Sequence, residues 1–412
     1  MSIDGLGQHS VHPFFAVVED CLTIGGRSLL DIAAQAGKTP FYAYSRQHMT
    51  DRVREVRAAL PKGIELHYAI KANPMPAVVQ HMSGVVDGLD VASAGEMLTA
   101  LDSGMDPQRI SFAGPGKTPQ ELEQAVAAGI LINVESELEV TRLAAIAERS
   151  GMRPRIAIRV NPDFELKTSG MKMGGGPKPF GVDAEQVPQL LTRIAGLPLE
   201  FLGFHIFSGS QNLRAEAIVE AQQKSVALAV NLARGAGVRV RTLNIGGGFG
   251  IPYFPGEKRL DLEPIGATLP GLLEQCSREL PGAGLVIELG RYLVGEAGVY
   301  VSRIIDRKIS RGQVFLVTDG GLHHHLAASG NFGQVVRKNY PVLIGNRVRG
   351  EAREIATVVG PLCTPLDLLG DRVELAKAAV GDLVVVLQSG AYGLTSSPTR
   401  FLSHPAPVEI LV

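Results

Sequence analysis

Several short stretches of this chain place polar or charged residues where apolar sequence ends. Lys71 follows the run Tyr68-Ala69-Ile70. A lysine entering an apolar environment must be paired, deprotonated or covalently bonded. Asp90 precedes Val91-Ala92-Ser93, and Arg159 precedes Val160-Asn161-Pro162. His205 is followed by Ile206-Phe207-Ser208, and Gly246, Gly247 and Gly248 are consecutive. Glu288-Leu289-Gly290-Arg291 closes the set. Each has an ordinary reading. Lys71 fits a surface position, His205 a satisfied core histidine, the glycines a flexible loop, and Arg291 a surface partner of Glu288. Together they make a coherent chemistry. A lysine can form a Schiff base. A glycine-rich loop lets backbone N–H groups approach a phosphate, and a nearby arginine adds charge. A glutamate can hold a proton on a pyridine nitrogen, and a histidine can stack on an aromatic ring. That is the inventory pyridoxal phosphate requires.

Such residues need elements to position them. Strand-like runs occur at 65–73, 85–93, 109–115, 131–136, 155–162, 199–207, 241–249 and 285–290. Most are apolar without strict alternation, as in strands buried on both faces of a parallel sheet. Helical stretches lie between them, such as 118–128 with its cap-like TPQE, 137–150 and 215–235. Eight such runs fit a (β/α)8 barrel better than a doubly wound sheet. The candidate residues then fall at the carboxyl ends of the strands, where barrel active sites lie. After Gly290 the pattern changes to strands and turns: VYVSRIIDRKI, QVFLVTDGG, REIATVVG, DLVVVLQSG and PVEILV. The expected organisation is α/β: residues 1–40 as an N-terminal segment joining a β domain, 41–290 as the barrel, and 291–412 as the C-terminal β domain. The stretch FFAVVEDCLTIGG is expected to pair with that β domain.

Composition limits the alternatives. The chain has 412 residues, 45% hydrophobic and 20% charged, with a net charge of −1. That is ordinary globular composition, and no basic excess points to nucleic acid or an anionic membrane. The N-terminus lacks the basic and apolar regions of a signal peptide, and no apolar run is long enough to span a bilayer. Cys21, Cys276 and Cys363 are scattered, which argues against a disulfide framework or a CxxC metal site and suits a reducing cytoplasm.

The motifs YAIKAN, DVASAGE, FHIFSGSQ, NIGGGFG, ELGRY, GPLC and SGAYG follow one another in this order. In that order they resemble the fold-type III pyridoxal-phosphate decarboxylases, the group of diaminopimelate, ornithine and arginine decarboxylases that shares its barrel with alanine racemase. The resemblance runs from PFYAYS at Pro40 to the C-terminus. It implies a barrel plus β domain and a homodimer with active sites shared between subunits. It implies that Lys71 bonds pyridoxal 5'-phosphate, His205 stacks on its ring and Glu288 pairs with the ring nitrogen. Ser208, Gly246, Gly247, Gly248, Gly290 and Arg291 would lie toward the phosphate or substrate. Asp90 and Arg159 would support the ring surroundings, and Tyr392 would touch the cofactor. Cys363 would be delivered from the second subunit to return a proton after decarboxylation.

The chain departs from the best-known members. The acidic residue that follows the cysteine and binds the distal ammonium of diaminopimelate or ornithine is here Thr364. A neutral side chain cannot supply that charge-assisted hydrogen bond; Asp367 is the nearest substitute. An arginine expected after Asp319 for a substrate carboxylate is absent until Arg337, and Gly320-Gly321-Leu322-His323-His324-His325 stands there instead. ELGRY replaces EPGRY, and FHIFSGSQ is longer than the usual HIGSQ. The stretches 169–181 and 323–333 resemble a subgroup acting on aminoacyl groups tethered to an acyl carrier protein, together with relatives linked to exopolysaccharide and exosortase systems. Consecutive histidines cannot easily all face one ion, so no metal is expected; His324 and Asp319 are taken as substrate-side candidates with Thr364 and Asp367. The leading expectation is decarboxylation of the α-carboxylate of a modified or carrier-tethered amino acid. Diaminopimelate decarboxylation is the main alternative, ahead of a racemase or a non-catalytic regulator on the same scaffold.

Overall fold

The computed structural model describes residues 9–10, 15–164, 171–172, 174–350 and 352–412. Part of the glycine-rich stretch 169–181 therefore lies outside the described residues. The chain forms two compact units: Met1–Arg52 with Ile251–Arg259 and Arg291–Val412, and Val53–Gly250 with Leu260–Gly290.

The second unit is built on eight parallel strands: β1 (Ile64–Ala69), β2 (Gly88–Val91), β3 (Ile110–Phe112), β4 (Leu131–Val134), β5 (Arg155–Asn161), β6 (Glu200–Ile206), β7 (Thr242–Gly247) and β8 (Gly284–Leu289). They pair in sequence order, β8 returns to β1, and β4 joins β5, so the sheet closes into a barrel. Every residue of β2, β3 and β8 beyond Gly284 is buried. These are the runs that lack alternation, because both faces of each strand are covered.

The helices form where capping chemistry starts them. Thr118 and Glu121 make a reciprocal capping box at Pro119–Ala128, and left-handed Gly129 ends that helix. Ser136 caps Glu137–Ser150, whose Val140, Leu143 and Ala147 share a buried face. These two helices and Ala215–Ala236 match the stretches read from sequence.

The first unit is a mixed β-sheet. Its strands are β9 (Gly298–Ser310), β10 (Gln313–Thr318), β11 (Val342–Ile344), β12 (Arg353–Val359), β13 (Leu368–Ala376), β14 (Leu383–Val386) and β15 (Val408–Leu411). The order is β11-β14-β9-β10-β12-β13. Phe41–Tyr44 joins this sheet from the N-terminal part, antiparallel to β9 and parallel to β15. The expected N-terminal stretch behaves differently: Val17–Val18, Cys21–Ile24 and Arg27–Ser28 make a small sheet of their own. It is tied to the unit by the Leu22 N–H donating to Gly345 O at 2.8 Å. Leu22, Ile24, Leu29, Ile32, Phe41 and Val301 share one buried cluster. No helix among the described residues is long and apolar enough to cross a membrane.

Candidate active site

Within the barrel unit, Lys71 sits on a single 3-10 turn, Ile70–Ala72, directly after β1. Its Nζ lies 3.8 Å from Glu288 Oε1 and 5.5 Å from the centre of the Phe207 ring. The lysine is 44% exposed while Glu288 is 7% exposed, so the amine is accessible and its counter-charge is not. The turn and the end of β8 approach closely at Gly290. A Cβ there would come within 3.0 Å of the Ala72 Cβ and 3.1 Å of Ala69 O.

Glu288 is the electrostatic centre. His205 on β6 places Nε2 at 3.0 Å from Glu288 Oε2, and Asn244 Nδ2 donates to the same oxygen at 3.4 Å. Burial by itself would raise the Glu288 carboxyl. The His205 hydrogen bond and the charges of Lys71, His205 and Arg159 outweigh it and hold the group well below the usual carboxylate range. His205 Nδ1 is buried without a partner among the described residues.

The glycine run is a steric necessity. Gly246 and Gly248 have φ of +69° and +73°. A Cβ on Gly247 would lie 2.2 Å from Glu288 O, and one on Gly248 2.4 Å from Gly209 O. The chain thus brings bare backbone together from β6, β7 and β8, as a phosphate cradle does. Ser208 is buried beside this loop, on the stretch that follows β6. Arg159 on β5 pairs with Glu135 at 2.9 Å and lies 5.0 Å from the Phe180 ring centre. Asp90 on β2 contacts His67 Nδ1 at 3.3 Å and accepts from the Ser111 hydroxyl.

Lys71, Asp90, Arg159, His205, Ser208, the glycines and Glu288 thus belong to one unit, on neighbouring strand ends. Asn244, Glu135 and His67 were not singled out from the sequence. The signal was available: each is a polar residue inside or at the end of an apolar strand run.

In the β unit, Arg291 donates from Nη1 to Tyr253 OH at 2.8 Å, and its guanidinium lies 4.5 Å from the Tyr392 ring centre. Tyr392 has φ of +52°. Cys363 is an exposed free thiol on a tight turn in which Thr364 N–H donates to Leu362 O at 2.8 Å. Asp319, Asp367 and His324, the other substrate-side candidates, make their own contacts in the β unit. Asp319 accepts from the Arg303 N–H at 2.8 Å and from the Thr39 hydroxyl. Asp367 is buried and receives the N–H groups of Leu322 and Leu362 at 2.6 and 2.8 Å, one on each oxygen. The two bonds tie together the loops that carry Leu322 and Leu362. His324 is buried, with Nε2 at 3.0 Å from Pro405 O and Nδ1 at 3.3 Å from Tyr300 OH. The histidine triplet does not converge on one point. His325 Nε2 goes to Ser389 Oγ at 2.9 Å, and neither His323 nitrogen has a hydrogen-bond partner among the described residues.

The barrel residues fit pyridoxal phosphate on their own geometry. The glycine cradle would be filled by any Cβ, an accessible amine stands beside an ionised carboxylate, and a buried imidazole keeps one nitrogen unpartnered. Pyridoxal phosphate, when bound, supplies the electron sink for decarboxylation.

Comparison with known proteins agrees. Residues 46–295 match the pyridoxal binding domain of the pyridoxal-dependent decarboxylases. The chain is 40% identical over 380 residues to the L-glutamyl-[BtrI acyl-carrier protein] decarboxylase of Niallia circulans, covering 91% of this chain and 89% of that protein. It is 33% identical over 404 residues to the diaminopimelate decarboxylase of Aquifex aeolicus, covering 97% and 93%. A crystal structure from Aquifex aeolicus superposes with a TM-score of 0.84 at 31% identity, covering 97% of this chain and 93% of that one. The chain belongs to the fold-type III pyridoxal-phosphate-dependent decarboxylases and is a carboxy-lyase that uses pyridoxal 5'-phosphate.

Proposed function

We propose that this enzyme removes the α-carboxylate of an amino acid carried on an acyl carrier protein, with a glutamyl group as the first substrate to test. The observation that carries the reading is Thr364, a neutral side chain where diamine-specific relatives place an acid. A free diamine would leave its second ammonium without a charge partner at this position. The relative named for a carrier-bound glutamyl group, 40% identical to this chain, supports the same direction.

In this reading Lys71 is the amine that anchors the cofactor and Glu288, held ionised, keeps the ring nitrogen protonated. His205 packs on the ring face. Ser208, Gly246, Gly247, Gly248 and Gly290 would receive the phosphate, and Asp90 and Arg159 would support the ring surroundings. Cys363 returns the proton to Cα in the active site of a second copy, so the working unit is a homodimer. An exposed thiol in that role suits a reducing cytoplasm.

The test is purified enzyme with pyridoxal phosphate and mass-spectrometric detection of CO2 loss. Substrates are carrier-tethered glutamyl and other aminoacyl groups beside free diaminopimelate, ornithine, lysine, arginine and glutamate. Turnover of the tethered group is expected; turnover of free diaminopimelate alone would replace this reading with the lysine-forming one.

A further inference from the structure

Deeper in the barrel lies a polar array of which the reading above uses only Asp90. His67 on β1 is the register partner of Gly88 on β2 and of Glu288 on β8. A Cβ on Gly88 would come to 2.5 Å from His67 Nε2, so a glycine at 88 makes room for the ring. His67 Nδ1 stands 3.3 Å from Asp90 Oδ1, and Nε2 stands 3.6 Å from Glu65 Oε2. Ser111 donates to the same Asp90 oxygen, and Asn133 Nδ2 donates to Ser111 Oγ at 3.3 Å. The array crosses β1, β2, β3 and β4 in spatial order.

Asp90 is 5% exposed, and its Oδ2 has no hydrogen-bond partner among the described residues. A buried carboxylate is costly to keep ionised without a counter-charge. Among the described residues the cationic partner of Asp90 is His67. The other side of His67 opens on a cavity of about 630 Å³ at the amino-terminal mouth of the barrel. Its charged lining is Glu65 before His67 on β1, Asp106 and Arg109 ahead of β3, Arg155 at the head of β5, Glu200 on β6 and Arg241 ahead of β7. Solvent therefore reaches this imidazole from the mouth opposite the strand ends that bear Lys71.

We propose that His67 is a positioning residue for the decarboxylation: held between Glu65 and Asp90, it balances the buried Asp90 carboxylate and fixes its orientation beneath the cofactor. The proposal rests on the barrel being the cofactor site. Burial alone would lower the imidazole. The charge and hydrogen bond of Asp90, with the nearby carboxylate of Glu65, override it and raise the group to about 10. His67 is therefore a fixed cation at neutral pH rather than a proton shuttle. Its loss would be felt as a new titration.

The test uses the holoenzyme. The visible absorbance of bound cofactor and the decarboxylation kinetics are followed against pH in wild type, His67→Gln, Asp90→Asn and the double variant. In His67→Gln, Asp90 loses its cation, and a buried carboxylate without a counter-charge takes up a proton more readily. A step absent from wild type then appears in both the absorbance and kcat. On its acid side kcat falls at least tenfold, with KM changing less. The double variant lacks the step, because the carboxylate that titrates is gone. A pH profile in His67→Gln that matches wild type, or a step that survives in the double variant, overturns the proposal. Should His67→Gln not fold, Asp90→Asn decides alone: the imidazole loses its main counter-charge while burial still opposes its charge, so it gives up its proton more readily and a step appears in the same profiles. Absence of that step overturns the proposal equally. Failure of the cofactor reading looks different, since wild type would then show no cofactor absorbance at all.

Discussion

His205 Nε2 lies 3.0 Å from Glu288 Oε2, and Lys71 Nζ approaches the other oxygen of that carboxylate at 3.8 Å. The two contacts hold Glu288 ionised although it is buried. A charged acceptor at this point is what a protonated ring nitrogen needs. Glu288→Gln keeps the shape and the hydrogen-bonding capacity but removes the charge. The expected outcome is a folded enzyme that still binds pyridoxal phosphate, with kcat lower by about 10²-fold or more. Steady-state CO2 release and the absorbance of the bound cofactor check it; wild-type kcat in this variant would remove Glu288 from its proposed role.

The glycine cradle gives a second expectation. Gly248 has φ of +73°, and its Cβ position is 2.4 Å from Gly209 O. Gly248→Ala therefore meets both backbone strain and a collision with backbone that cannot swing aside. A loss of about 1–3 kcal/mol of stability is expected from the strain. Cofactor affinity should fall with it, because the loop must move away from its neighbour. Thermal unfolding with and without added pyridoxal phosphate separates the two effects. Gly256→Ala is the control, since its Cβ position has nothing within 4 Å although its φ of +82° carries similar strain.

The eight barrel strands were legible because both-face burial writes continuous apolar runs. The residues on strand ends stood out against those runs, as Lys71, His205 and Glu288 do. Two strands of the β unit, β11 and β13, were not picked out. Residues Val342–Ile344 are short, and Leu368–Ala376 mixes buried with exposed positions around Asp371, Arg372 and Glu374. Partners could not be read either. Nothing in the spacing says that Asp367 receives the N–H of Leu322, which is remote in sequence, or that His67 faces Gly88. Those contacts depend on register and loop closure, which only the folded chain defines.

In the proposed function, substrate choice turns on Thr364. Its hydroxyl accepts the Leu366 N–H at 3.3 Å, so the side chain is held within its own turn. Thr364→Asp would place a carboxylate where diamine-specific relatives have one. Activity on free diaminopimelate or ornithine should rise at least about tenfold in kcat/KM, equivalent to roughly 1.4 kcal/mol of transition-state binding. Activity on a carrier-tethered glutamyl group should fall, since a second anion then faces the substrate. Competition assays between the two substrate classes measure the change; an unaltered preference would show that this position does not read the distal group.

The buried histidines of 323–325 make the β unit sensitive to acid. His325 donates from Nε2 to Ser389 Oγ at 2.9 Å, and its Nδ1 accepts the Ala328 N–H at 3.2 Å. Protonating Nδ1 would break that bond, so the native state requires neutral imidazole. Among the described residues His323 has no hydrogen-bond partner on either nitrogen, and its ring centre is 3.7 Å from that of His324. Burial lowers all three, to about 4 for His323 and about 3 for His324 and His325. In the unfolded chain these rings take up protons near pH 6.5. Their contribution is thus fully present above about pH 6.5 and is lost as pH falls through the folded values. The unfolding temperature should drop as pH is lowered from 6.5 toward 4. His323→Phe removes one such proton uptake and breaks no side-chain hydrogen bond. Its unfolding temperature, measured beside wild type across the same range, should fall less steeply. Parallel curves would mean that His323 is not held neutral in the folded protein.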